Sequence, residues 1–134
     1  MRIYLDSYYP SFTDFLNNYL QDLGHHAHIL NMSADLTALC NEQSGAESGE
    51  EGLALILHAQ QLNERIIENL CDLRRKNPAT QTILIKDHGK LELAPERMVE
   101  MGVLGVLHKP FALSELDYLL YRIQQPEKKD KAPQ

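Results

Sequence analysis

The chain has 134 residues, of which 19 are acidic and 13 basic, giving a net charge of -6, and 43% are hydrophobic. This length fits one domain that buries its core without disulfide staples, and the apolar fraction excludes a disordered chain. The acidic balance argues against nucleic acid and anionic membrane as ligands, because both present phosphates to the protein.

Residues 2–6 read as a short strand, and the early Asp6 argues against a secretory leader. Residues 11–23 read as a helix, with Phe12, Phe15, Leu16, Leu20 and Leu23 at the three-and-four spacing that lines one face. Pro10 and Ser11 mark its start, and Asp14 is placed to accept from free N–H groups of the first turn. Gly24 supplies the left-handed residue that ends many helices. Residues 28–32 form a weaker second strand, entered through His25 and His26, with His26 and His28 on one face. Residues 33–41 form a second helix, with Leu36, Leu39 and Cys40 inward. The polar, acidic, glycine-rich run 43–52 has nothing to bury and reads as a mobile loop.

Residues 53–58 are nearly all apolar, which points to a strand buried on both faces in the middle of a parallel sheet. Residues 63–76 form a third helix, with Ile66, Ile67, Leu70 and Leu73 inward and Asn77-Pro78 closing it. Residues 82–86 are a fourth strand, 95–101 a fourth helix closed by Gly102, and 103–107 a fifth strand. The last helix spans 113–125, with Leu116, Leu119, Leu120 and Ile123 on one stripe, and Pro126 stops it. Residues 126–134 have no apolar period and read as a flexible tail or linker after a domain of residues 1–125. No run approaches the roughly 18 apolar residues of a membrane span. Cys40 and Cys71, far apart inside helical patterns, are expected to be buried free thiols in a reducing cytoplasm.

Five strands, each followed by a helix, imply right-handed crossovers and helices on both faces of a parallel sheet. The expected class is α/β: a flavodoxin-like, doubly wound (βα)5 fold with a five-stranded parallel sheet in the order 2-1-3-4-5. The fold alone decides no function.

The stretch Gly102-Val103-Leu104-Gly105-Val106-Leu107-His108-Lys109-Pro110-Phe111, followed by a helix, is more specific. It resembles the end of a bacterial response-regulator receiver (CheY-like) domain, and the resemblance extends over residues 1–125. It implies a cis Lys109–Pro110 bond and a site at the C-terminal ends of the strands. In that family two adjacent acids after the first strand hold Mg²⁺. An aspartate ending the third strand takes the phosphoryl group, a hydroxyl ends the fourth strand, and a lysine ends the fifth.

Carried over residue by residue, the pattern is degenerate. Asp6 is followed by Ser7 where the second acid belongs, and Mg²⁺ favours carboxylate oxygens, so its binding is expected to be weak or absent. His58 stands at the acceptor position, and Leu62 and Ile66 stand where a proline and a glycine usually follow. Asp87 takes the hydroxyl position and Val106 that of the switch aromatic, while Asp6 and Lys109 remain. The resemblance therefore implies an atypical receiver, or pseudo-receiver, without the phospho-acceptor aspartate. Such a domain acts in two-component signal transduction in the bacterial cytoplasm by phosphorylation-independent protein–protein interaction. It is expected to be no enzyme, to need no cofactor, and to bind neither nucleic acid nor membrane. Its partner is another protein or a second copy, met through the fourth helix, fifth strand and last helix.

Each singled-out residue also has an ordinary role. Lys109 is expected to pair with Asp6 or Asp87, because a clustered charge needs a counter-charge. His58 is expected to be neutral and hydrogen-bonded to Asp6 or Asp87. A phosphohistidine would lack the metal that neutralises incoming phosphate. A transition-metal site from His58, Asp6, Asp87 and His88, or from His26 and His28, uses suitable ligands but lacks a short ligand spacing. Tyr118 and Tyr121 either line a partner surface or cap the core edge. Two further readings are an N-terminal regulatory domain of a larger transcriptional or signalling regulator, and a ligand- or metal-binding flavodoxin-like protein. The second is weakened by the loop from Asp6 to Ser11, which has hydroxyls but no glycine to cradle a phosphate.

Overall fold

Five parallel strands form one sheet in the order β2-β1-β3-β4-β5. They are β1 (Arg2–Asp6), β2 (Ala27–Leu30), β3 (Leu53–His58), β4 (Thr80–Lys86) and β5 (Val103–His108). Four α-helices accompany them among the described residues: α1 (Pro10–Asp22), α2 (Glu64–Lys76), α3 (Pro95–Met101) and α4 (Leu113–Gln124). The computed structural model describes residues 2–31, 36, 38–39, 52–87 and 93–124. The rest of the expected second helix with Cys40, most of the 43–52 loop, His88 and the 126–134 tail lie outside the described residues.

The run Leu53–His58 is buried at every position, as a strand sandwiched between two helical layers must be. Its period-two alternation divides the core. Leu53, Leu55 and Leu57 face a cluster with Ile66, Leu70 and Leu73 of α2, together with Leu36 and Leu39, which are helical. Ala54 and Ile56 face the opposite cluster, with Leu16 and Leu20 of α1 and Leu116, Leu119, Leu120 and Ile123 of α4. The inward stripes expected for α2 and α4 are thus observed. Cys71 is a buried free thiol, and burial pushes its pKa up.

The helix ends show why some boundaries were readable. Asn63 caps α2 by accepting from the Ile66 N–H at 2.9 Å. Gly102 closes α3 at φ 76, and a Cβ there would lie 2.2 Å from Arg74 Nη1. Gly105 has another use: a Cβ there would lie 2.9 Å from Leu119 Cδ2, so its bare backbone lets α4 approach β5 closely.

Several expectations need correction. α1 begins at Pro10, and Asp14 lies beyond the first turn, which contains no acid. Proline at the first position has no N–H to satisfy, so the helix starts there without a side-chain cap. Phe15 and Leu23, expected inward, are each 49% exposed, and of the expected stripe only Leu16 and Leu20 are buried. β2 ends at Leu30 rather than Met32, since its ladder partner Asp6 is the last residue of β1. His26 precedes the strand, so it shares no strand face with His28, which stacks on Tyr4 at 5.2 Å instead. β4 begins two residues early, at Thr80, where it pairs with Leu53.

Candidate functional site

Parallel strands end together, and the sheet order brings the ends of β1, β3, β4 and β5 to one edge. Asp6 ends β1, His58 ends β3, Asp87 follows β4 and Lys109 follows β5. The peptide between Lys109 and Pro110 is cis. These side chains form two pairs.

The first pair is buried. Asp6 is 2% and His58 also 2% exposed. The His58 backbone N–H donates to Asp6 Oδ2 at 2.6 Å, and His58 Nδ1 lies 3.0 Å from Oδ1. The Tyr8 N–H adds a longer bond to Oδ1 at 3.3 Å. A carboxylate only accepts, so Nδ1 carries the imidazole proton. Nε2 is buried and has no hydrogen-bond partner among the described residues. The imidazole is enclosed by the rings of Tyr9 at 5.0 Å, Phe12 at 5.4 Å and Tyr8 at 5.9 Å.

The second pair is about one quarter exposed. Lys109 Nζ lies 3.5 Å from Asp87 Oδ1. Asp87 Oδ2 accepts from the Gln60 amide at 2.7 Å and from the Tyr9 hydroxyl at 2.9 Å. The Tyr9 bond is the main reason that the Asp87 carboxyl is held below its usual range. Partial burial opposes the shift, and the Lys109 charge and the Gln60 bond add to it. The same bond raises the Tyr9 hydroxyl. The Lys109 ammonium also lies over the rings of Phe12 at 4.1 Å and Tyr9 at 4.4 Å. Tyr9 and Phe12 therefore touch both pairs.

The alternatives left by the sequence are now resolved: His58 pairs with Asp6, not Asp87, and Lys109 pairs with Asp87, not Asp6. Ser7 is exposed and donates its hydroxyl to the Leu30 carbonyl at 3.2 Å, which draws it toward β2. Val106 is half-buried and packs against the core cluster of α2. Tyr118 and Tyr121 are 60% and 59% exposed, so they do not cap the core edge. Among the described residues no three His, Cys, Asp or Glu side chains gather closely enough to hold a metal ion.

Three participants escaped the sequence reading. No sequence period singles out Tyr9 or Gln60, and the spacing of Phe12 points to the core stripe. The available signal was position: Tyr9 follows Asp6 by three residues, and Gln60 follows His58 by two, each just beyond a strand end.

The Tyr9 bond can be tested by titration. Replacing Tyr9 with phenylalanine should move the Asp87 midpoint upward, toward the usual value of about 3.9. A depressed carboxyl stabilises the fold above its unfolded pKa, and this contribution fades as pH falls through the folded one. The wild-type advantage over Tyr9→Phe should therefore hold at neutral pH and shrink below about pH 4. Carboxyl NMR of Asp87 reads the midpoint directly. An unchanged midpoint would reject the bond as the cause.

No family profile matches the chain, and no curated protein matches it in sequence. Solved structures do match in shape. The signal receiver domain of an HD domain-containing protein from Pseudomonas fluorescens has a TM-score of 0.71 at 18% identity, covering 99% of this chain and 93% of that one. The N-terminal domain of a response regulator/sensory box/GGDEF three-domain protein from Carboxydothermus hydrogenoformans gives 0.72 at 10% identity, covering 97% and 98%. A protein described as pilus assembly-related, from Burkholderia pseudomallei, gives 0.69 at 18%, covering 92% and 88%. At such identities the likeness establishes the fold, which is that of response-regulator receiver domains.

Proposed function

We propose that this chain is a receiver-type signalling module that works without a phosphoryl cycle and acts by binding another protein. The observation that carries the reading is the Asp6–His58 pair. At the position where the resemblance expects an acceptor carboxylate, the chain has an imidazole. That imidazole and its backbone N–H both engage Asp6. An acyl phosphate needs a carboxylate, and Mg²⁺ needs oxygen ligands with lone pairs free to face it. Asp6 directs both of its oxygens at His58, and Ser7 bonds elsewhere. On this reading the chain is no enzyme, uses no cofactor and binds Mg²⁺ weakly or not at all. It meets its partner in the cytoplasm.

The direct test is incubation with Mg²⁺ and acetyl phosphate, followed by intact mass. No added phosphoryl group is expected under conditions that modify an ordinary receiver. A stoichiometric adduct would overturn the reading, and mapping it would show which residue had accepted the group.

The proposed partner surface is the face of α3, β5 and α4. Val99, Tyr118 and Tyr121 are exposed there at 75%, 60% and 59%. A shallow groove of ≈ 410 Å³ runs beside Tyr118, floored by Gly105, Val106 and Leu107. Exposed aromatics beside a groove are the composition expected at the centre of an interface. A second copy of the chain is the simplest occupant. Light scattering across a concentration series should show a dimer for the wild type, and Tyr118→Glu should weaken it at least about tenfold, a change of about 1.4 kcal/mol. A wild type that stays monomeric would leave a different protein as the partner. A dimer indifferent to Tyr118→Glu would place the interface elsewhere.

A second reading, regulation of an attached output domain, is favoured by the two receiver neighbours, each named as one domain of a larger protein. It is compatible with the same partner face.

A further inference from the structure

A second cavity lies beside the Asp87–Lys109 pair, between α1 and the segment that joins β5 to α4. Its volume is ≈ 560 Å³, within the roughly 300–1,000 Å³ of small-molecule sites. Phe12 and Phe15 form one wall, and Pro110, Phe111 and Leu113 form the other. Among the described residues Asp87 and Lys109 are its only charged or hydrogen-bonding lining side chains, and they stand together. Phe15, at the rim, is 49% exposed, so a bound apolar body would remove a large aromatic surface from water.

The two polar residues differ in what they still offer a ligand. Asp87 Oδ2 already accepts two hydrogen bonds, from Tyr9 and Gln60, and Oδ1 faces the ammonium. Lys109 makes one charged contact among those described, at 3.5 Å, well beyond the roughly 2.7–2.9 Å of a charge-assisted hydrogen bond. Its other neighbours are ring faces, which accept no conventional hydrogen bond. An ammonium has three donors, so Lys109 keeps N–H groups for an incoming anion.

We propose that this cavity binds a small apolar monocarboxylic acid, its carboxylate on Lys109 and its aromatic or branched aliphatic body between Phe12, Phe15, Phe111 and Leu113. The charge count selects a monoanion. Asp87 already offsets the Lys109 charge, so a dianion such as phosphate would meet that carboxylate with no second cation near among the described residues. The apolar walls also disfavour a strongly hydrated ion. A cationic ligand would meet the Lys109 charge itself. Such a ligand would give the module a chemical input at the strand ends, where open α/β sheets receive ligands. The inference is independent of the phosphoryl cycle, because it uses neither Asp6 nor His58.

The test is calorimetric titration of the full chain with 3-phenylpropanoate, its neutral amide and inorganic phosphate. The acid should saturate one site with a dissociation constant of about 1 mM or tighter. The amide and phosphate should each bind at least about tenfold more weakly. Lys109→Gln should weaken the acid about tenfold, and Phe15→Glu, a change at a half-exposed rim position that leaves the core intact, should abolish it. Circular dichroism of both variants separates loss of binding from loss of fold. Equal binding of acid and amide would overturn the role of Lys109. No saturable binding to the wild type would overturn the site. Dimerisation of the wild type that Phe15→Glu abolishes would show that a second copy covers this groove, and would also overturn the proposal.

Discussion

Replacing Asp6 with alanine should destabilise the protein by about 2–6 kcal/mol, because two buried donors would each lose their acceptor. The His58 backbone N–H, now 2.6 Å from Oδ2, would face a void. Nδ1 would lose its acceptor, in a ring whose other nitrogen already has no partner among the described residues. Water has little access to a residue 2% exposed. Each orphaned donor carries a desolvation penalty of about 1–3 kcal/mol. Asp6→Asn should lose less, about 1–2 kcal/mol, because its amide oxygen still accepts from the His58 N–H. Urea unfolding measures both, with an unchanged slope showing that the native and unfolded ensembles are comparable. A loss below about 1 kcal/mol for Asp6→Ala would mean that the pair is not held as described.

His58→Asp should have the second large effect, and its size should depend on metal. In this variant two carboxylates face each other where one carboxylate and one imidazole now meet at 3.0 Å. Like charges in so buried a place cannot both ionise freely, so one carboxyl should titrate several units high. The fold should lose several kcal/mol at neutral pH without Mg²⁺. The same two acids form an oxygen-rich site for a hard cation. Mg²⁺ should then restore stability, by about 2.7 kcal/mol at one hundred times its dissociation constant. The wild type should show no comparable response. Thermal or urea unfolding with and without Mg²⁺ distinguishes the cases, and an equal Mg²⁺ shift in both proteins would show that the wild-type site already holds the ion.

What was legible in the sequence follows the physics of burial. β3 was readable because a strand covered on both faces must be apolar throughout, and α2 and α4 because their stripes repeat over three turns. α3, only seven residues long, was bounded by Pro95 and Gly102, whose backbone preferences act locally. The ends of β2 and β4 were misplaced because ladder length is set by neighbouring strands, which no local pattern reports.

Asp6, His58, Asp87 and Lys109 were legible as members of the site, while their pairing and the side chains that direct it were not. Sheet order places His58 between β1 and β4, so Asp6 and Asp87 are its neighbours on either side, and order cannot choose between them. The choice falls to loop residues. Tyr9 and Gln60 engage Asp87 and leave Asp6 to the imidazole. Such residues follow no period, so a reading by periodicity passes over them.

The shared rings of Tyr9 and Phe12 bear on how this chain can change over generations. Each pair leans on the same two side chains, so altering one member strands a partner and disturbs the wall of the other pair. An aspartate at His58 alone passes through a less stable chain, as does a hydroxyl at Asp87, which takes from Lys109, Tyr9 and Gln60 their common carboxylate. The arrangement works as a ratchet: the members of the two pairs are held in place by their mutual dependence, so changing any one of them without loss takes several simultaneous steps, where a change at the exposed rim takes one.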